Sequence, residues 1–132
     1  MIQAADAFAY PEVEKTTYKD EPGTWVAVSR RVLASASDTK FETRYFELAP
    51  GGYTSREHHH HEHVVVVLRG EGAVILNDER TSIGVGDVVH VPHNVPHQFF
   101  NPNQEPFGIL CVVDRDRDRP VILPVAPPLP ES

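Results

Sequence analysis

The chain has one cysteine in 132 residues, Cys111, which excludes an intrachain disulfide. A single thiol suits a reducing compartment, and the cytoplasm is the expected location. Cys111 sits in the apolar stretch Gly108-Ile-Leu-Cys-Val-Val and reads as a small core residue. Long hydrophobic runs are also missing. None approaches the roughly 18 residues of a membrane span, and the start Met1-Ile-Gln-Ala-Ala-Asp has neither the basic head nor the apolar core of a signal peptide. Positive charge is scarce: 12 Lys and Arg face 19 Asp and Glu, for a net charge of −7. With no Lys/Arg cluster either, nucleic acid and anionic membrane are excluded as partners. No phosphate-cradling loop is present, because Gly70, Gly72, Gly84 and Gly86 read as turn residues and no lysine follows them. No long helical pattern is present.

What remains is a chain of one-domain length with 40% hydrophobic and 23% charged residues, ordinary for a globular protein. Short alternating or apolar stretches recur between turn signals. Trp25–Leu33 and Lys40–Leu48 read as strands, separated by a turn over 34–39. Pro50-Gly51-Gly52 reads as a further turn, and Tyr53–Glu57 as the start of a new strand. Val64–Leu68, Ala73–Asn77, Arg80–Ile83, Val88–Val91, His97–Asn101 and Phe107–Asp114 follow, the last buried on both faces by composition. The expected fold is all-β, a sandwich or small barrel. Residues 1–24 form an N-terminal arm in which Glu21-Pro22-Gly23 breaks any regular element and Phe8 and Tyr10 pack. Residues 25–119 form the barrel, and residues 120–132 a proline-rich tail that cannot join a central strand. The run Asp114-Arg-Asp-Arg-Asp-Arg119 alternates in sign and reads as a solvated turn or exposed edge.

All eight histidines lie within residues 58–97. Five fall between His58 and His63, and the others are His90, His93 and His97. Two remote His-bearing segments are the composition of a metal site. On an extended chain, Glu57, His59, His61 and His63 share one face and His58, His60 and Glu62 the other. His58 and His60 read as surface residues, and His90 and His93 as satisfied strand or loop residues. Phe99 shares parity with His97 and is the expected apolar wall of a pocket. Tyr45 is a second pocket candidate whose strand parity the sequence does not anchor. Trp25 and Phe46 read as core.

Two motifs carry a family resemblance. Gly51-x5-Glu57-x-His59-x3-His63-x6-Gly70 fits the spacing of the first cupin motif, and Gly86-x5-Pro92-x-Asn94-x2-His97-x3-Asn101 fits the second with Asn94 in place of Gly. Asn tolerates a left-handed backbone nearly as well as Gly, so that change is mild. The chain thus resembles a small single-domain cupin, a β-barrel of the jelly-roll (double-stranded β-helix) kind. The resemblance implies one divalent transition metal (Fe, Mn, Zn, Ni or Cu) held by Glu57, His59, His63 and His97. Glu and His exchange places relative to the usual motif. A set that includes His61 requires a bend or bulge and stays open.

Four protein donors would leave about two positions free on a six-coordinate ion, as a substrate-binding site needs. The expected function is a metal-dependent enzyme acting on a small organic molecule, dioxygenase chemistry first, isomerisation or decarboxylation after it. The alternative is a non-catalytic metabolite-sensing or metal-binding module. By analogy with the family a homodimer is expected, with the tail or the Phe8/Tyr10 arm as elements of exchange.

Overall fold

The computed structural model describes residues 1–18, 25–34 and 39–123. The expected breaker at 21–23, most of the expected turn at 34–39 and the proline-rich tail from 124 on lie outside them. Eleven strands run in the order β1 (Thr16–Thr17), β2 (Val26–Ala34), β3 (Phe41–Tyr53), β4 (Glu57–His58), β5 (His63–Arg69), β6 (Glu71–Leu76), β7 (Glu79–Gly84), β8 (Val88–Val91), β9 (His97–Phe100), β10 (Phe107–Asp114) and β11 (Val121–Ile122). One 3-10 turn, Asp6–Phe8, is the only helical element among the described residues, so none is long and apolar enough to cross a membrane.

The strands pair antiparallel in two curved groups, β1-β2-β3-β10-β5-β8 and β11-β4-β9-β6-β7, joined where Tyr53 of β3 meets Phe100 of β9. The curled sheet closes on its apolar face as a jelly-roll barrel. Val28, Phe46, Leu48, Val65, Val67, Phe107, Ile109 and Cys111 on one side pack with Val74, Ile83 and Phe99 from the other. β10 lies between β3 and β5, so both of its edges are paired; its inward face (Phe107, Ile109, Cys111, Val113) is buried, while Leu110 and Val112 on the other face are only half-buried, less than the composition suggests.

One expected turn is not a turn. β3 continues through Pro50-Gly51-Gly52 to Tyr53. Gly51 takes φ +79°, a conformation that favours glycine, and bends the strand without reversing it. Hydrogen bonds from Gly51 N to Asn101 O and from Asn101 N to Gly52 O then hand the chain from one sheet to the other. The strand expected from Tyr53 shrinks to Glu57–His58, because Thr54 is occupied in bracing β9. It exchanges hydrogen bonds with Phe99 (Thr54 N to Phe99 O and Phe99 N to Thr54 Oγ1, both 2.9 Å). Asn94 does stand in the left-handed region (φ +56°), where the motif usually places Gly.

The N-terminal arm packs against its own barrel. Phe8 stacks on Tyr45 at 5.9 Å, Tyr10 lies 5.2 Å from the same ring, and Arg31 donates to Val13 O at 2.9 Å.

Gly72 of β6 packs directly against Phe107 of β10. A Cβ on Gly72 would sit inside the van der Waals envelope of the fully buried Phe107 ring, whereas one on Gly84 would meet only ordinary contact with Glu71. Gly72→Ala is therefore expected to cost about 1–3 kcal/mol by overpacking, and Gly84→Ala to stay within about 0.5 kcal/mol of wild type. Urea midpoints of the two variants check this pair.

Candidate metal centre

Three imidazoles from two remote segments meet on the barrel's inner wall. His59 lies in the bend between β4 and β5, His63 opens β5 and His97 opens β9. One ligating atom from each lies within 4.8 Å of the others. The ring centroids of His59 and His97 are 4.7 Å apart, and those of His63 and His97 5.0 Å apart.

Each ring is held by the nitrogen that faces away from the centre. His97 Nδ1 donates to Val95 O (2.9 Å) and His59 Nδ1 to His61 O (2.7 Å). His63 Nδ1 lies 3.3 Å from Cys111 Sγ. In a neutral ring, a proton on Nδ1 leaves the Nε2 lone pair free. The Nε2 atoms of His63 and His97 then face each other at 3.3 Å. Two lone pairs at that distance repel unless a cation lies between them. The separation suits two nitrogens on one ion at roughly 2.0–2.1 Å each. The donor set therefore fits a divalent transition metal, and the outward hydrogen bonds are the supports such ligands require.

Burial keeps these rings neutral. Desolvation, then the neighbouring His97, pulls His63 down to about 2; desolvation pulls His97 down to about 4 despite its bond to Val95 O. His59 and His61 are lowered for the same reason. Neutral imidazole is the form that ligates.

Glu57 stands beside the three rings. Its Oε1 is 4.0 Å from His59 Nε2, and its Oε2 accepts a 2.5 Å hydrogen bond from Ser55. It belongs to the same wall but lies outside the close group of three. His61, the alternative ligand, is not in that group either. Its ring lies flat on His59 (3.7 Å, 5° between planes), and its Nδ1 is bonded to Asp118 at 2.8 Å. The bend that His61 would need for ligation is present, but the bend turns its nitrogen to a carboxylate. His58 pairs with Val121 on the sheet edge and His60 is exposed. His90 and His93 are satisfied by Glu62, at 2.6 and 3.0 Å.

The imidazoles open onto a cavity of about 450 Å³ walled by Trp25, Phe46, Val65, Phe99 and Ile109. Phe99 is where parity placed it. Tyr45 is a correction. On β3 it is Arg44 and Phe46 that face the cavity, while Tyr45 points the other way to the N-terminal arm and bonds Glu47 at 2.9 Å. Trp25 and Phe46 belong to the core and also line the cavity.

Cys111, Arg44 and Asp118 are at the site although the sequence reading did not place them there. Cys111 is buried on the cavity wall, where its sulfur meets Arg44 Nη2 (3.4 Å) as well as His63. Burial pushes its pKa up and Arg44 pulls against it. Its alternation with Ile109 and Val113 was visible, but not which wall that parity faced. Asp118, inside the alternating run, folds back over the bend of histidines. It accepts hydrogen bonds from His60 N (2.8 Å), His61 N (3.0 Å) and His61 Nδ1, and these hold its carboxyl well below the usual range.

Comparison with known proteins comes to the same architecture. The cupin domain family matches residues 44–113. The 1-methylthio-D-xylulose 5-phosphate methylsulfurylase of Rhodospirillum rubrum is 36% identical over 114 residues, covering 86% of this chain and 73% of that protein. The crystal structure of a cupin-2 domain from Rhodospirillum rubrum superposes with a TM-score of 0.83 at 35% identity, covering 88% of this chain and 78% of the other. A cupin 2 domain-containing protein from Halorhodospira halophila gives a TM-score of 0.67 at 44% identity, covering 69% and 66%.

Two outcomes follow for the metal-free protein and the loop. His63 and His97 bind fewer protons folded than unfolded, where imidazole titrates near 6.5, so stability is full above that value and falls as the pH drops toward 4. Urea midpoints of chelator-treated protein between pH 7 and pH 4 should fall steadily, with a shallower fall in His63→Gln. Asp118→Ala should weaken Co(II) binding by roughly 10–100-fold and alter the Co(II) absorption spectrum, as loss of an outer support does. An unchanged spectrum and affinity would remove Asp118 from the site.

Proposed function

The chain belongs to the cupin family, and on that premise we propose that it is a metal-dependent enzyme acting on a small organic molecule inside its barrel. The observation that carries this reading is the convergence of three neutral, outwardly braced imidazoles on a cavity that also has an apolar wall. His59, His63 and His97 would hold the ion, with Glu57 the adjacent carboxylate available as a fourth donor. A divalent ion at that place supplies Lewis acidity to a substrate oxygen. The walls of Trp25, Phe46, Val65, Phe99 and Ile109 hold the carbon skeleton and exclude water.

Within that class, transfer of a sulfur group is favoured by Cys111. Its sulfur is on the cavity wall, and two donors, His63 Nδ1–H and the Arg44 guanidinium, point at it. Such partners stabilise a thiolate, the nucleophilic form, against the cost of burial. The named relative is a methylsulfurylase of a methylthio sugar phosphate. A Cys111 thiolate that attacks a methylthio sulfur forms a mixed disulfide. The electrons of the broken carbon–sulfur bond stay with the substrate carbon, whose neighbouring carbonyl holds them until a proton arrives. A thiol cosubstrate then takes the methylsulfanyl group, leaves as a disulfide and restores Cys111. Carbon is reduced and sulfur oxidised, and no external oxidant is required.

Dioxygenase chemistry is the second reading. Glu57 accepts a hydrogen bond from Ser55 and stands beside the imidazoles as the fourth donor, a role that takes it out of use as a general base, and attack by O2 requires none.

One assay separates the two. Protein reconstituted with Mn(II) or Fe(II) is given a methylthio ketose phosphate and glutathione without oxygen, and products are read by mass spectrometry. Methylsulfanyl transfer is expected, with Cys111→Ser lowering it by roughly 10²-fold or more while the metal content stays constant. Oxygen uptake that is indifferent to Cys111→Ser would establish the dioxygenase, and binding without product in either arm would mean a sensing module.

A further inference from the structure

The alternating run from Asp114 to Arg119 is divided by the fold. Arg115, Arg117 and Arg119 line the histidine cavity. Asp114 and Asp116 line instead a neighbouring cleft, beside Glu62 and His93, which Arg117 and Asp118 also border. All three guanidinium groups thus reach the substrate side, and two of the three carboxylates do not.

This sorting creates a local reversal of sign. The chain carries a net charge of −7. Yet the charged groups around the cavity are Arg44, Arg115, Arg117 and Arg119 against Glu42, Glu57 and Asp118, and the imidazoles among them are neutral. The acid groups are largely spoken for. Asp118 is held by the backbone N–H groups of His60 and His61, and Glu57 by Ser55. Glu42 lies 3.7 Å from Arg44 and 3.4 Å from Arg117.

The arginines are graded in commitment. Arg117 is fixed, donating to Asp114 O (2.9 Å), Arg115 O (3.2 Å) and Glu42. Arg115 is half-buried and donates to Thr39 O at 3.4 Å. Arg119 is exposed and makes no ion pair or hydrogen bond with any described residue. An uncommitted fork beside two anchored ones, at the mouth of a cavity with low-dielectric walls, is an arrangement that draws in and orients an anion. The planar fork also matches a phosphate edge with two parallel hydrogen bonds.

We propose that Arg115, Arg117 and Arg119 form an anion subsite at the cavity mouth, and that it receives the phosphate monoester of a small substrate whose other end reaches His59, His63 and His97. The proposal rests on the reading of the cavity as a substrate site. Three guanidinium groups suit a dianion with three terminal oxygens better than a carboxylate with one charge and two.

The test needs no turnover. Inorganic phosphate is titrated into the full-length protein, with the bound metal in place and after chelation, and binding is followed by calorimetry. Acetate at equal ionic strength is the comparison. Phosphate is expected to bind in both states and acetate markedly less. Arg119→Ala should weaken phosphate about tenfold or more, the loss of a charge-assisted hydrogen bond, and Arg119→Lys should restore part of it. Arg115→Ala should weaken it as well, and circular dichroism confirms that each variant is folded. Phosphate binding that vanishes on chelation and ignores both arginines would place the anion on the metal and overturn the subsite. Acetate binding as tightly as phosphate would make the site a carboxylate site and also overturn it. Arginine-dependent phosphate binding without turnover on any substrate would leave the subsite standing and sink only the enzymatic reading.

Discussion

Everything at this site depends on the register of one four-residue strand. β9 places His97 opposite Glu57 on β4 and opposite Leu76 on β6. Side chains alternate with period two, so a slip of one residue would turn His97 and Phe99 out and Gln98 and Phe100 in. Four residues are too few for apolar packing alone to prevent such a slip. The lock is polar and buried. Thr54 exchanges hydrogen bonds with Phe99 on both sides, Gln98 gives its amide to Thr54 O, and Asn101 ties the strand's end to Leu48 O and Glu105 O. Buried polar groups that are fully satisfied specify one arrangement. Here that arrangement puts a single imidazole opposite two others thirty-odd residues earlier in the chain.

The cost of that arrangement is visible in the same groups. Four imidazoles are taken from water, and each becomes a weaker base as a result. Facing nitrogen lone pairs gain nothing from each other. A core built for stability alone would fill this volume with aliphatic side chains. Retaining a polar cluster that only a cation relieves is the pattern of a site that gives up stability for binding.

The sequence displayed the pieces of this site and not their assembly. The alternation from Glu57 to His63 survives in the structure although most of it is bend and not strand: Glu57, His59 and His61 are buried and His60 is exposed. It survives because the bend is pinned at both ends, by β4 pairing with β9 and by β5 pairing with β10. Parity along a single strand was likewise enough to place Phe99 with His97. It gave no answer for Tyr45, because β3 carries no histidine to anchor its inner face and the N-terminal arm supplies an apolar surface on the outer one. Cys111 and Arg44 meet His63 only through the registers of β10 against β3 and β5. No local pattern encodes a contact set by two pairings between distant strands.

The same limit explains Asp118, and shows what the segment after β10 accomplishes. As a sequence, the charge run is indistinguishable from a solvated turn. In the fold it is carried back across the barrel mouth by β11, which pairs with β4 through Val121 and His58. That pairing sets two adjacent residues in different tasks: the Asp118 carboxylate grips the backbone of the histidine bend, and the Arg119 guanidinium stands at the cavity's edge. Adjacent residues on one short strap cannot move independently. Drawing Arg119 inward toward an anion would therefore bear on the grip of Asp118, and through His61 on the ring of His59 against which it lies. Charge at the mouth and order at the imidazole cluster are thus mechanically joined over two residues, a linkage that a closed structural metal site would have no use for.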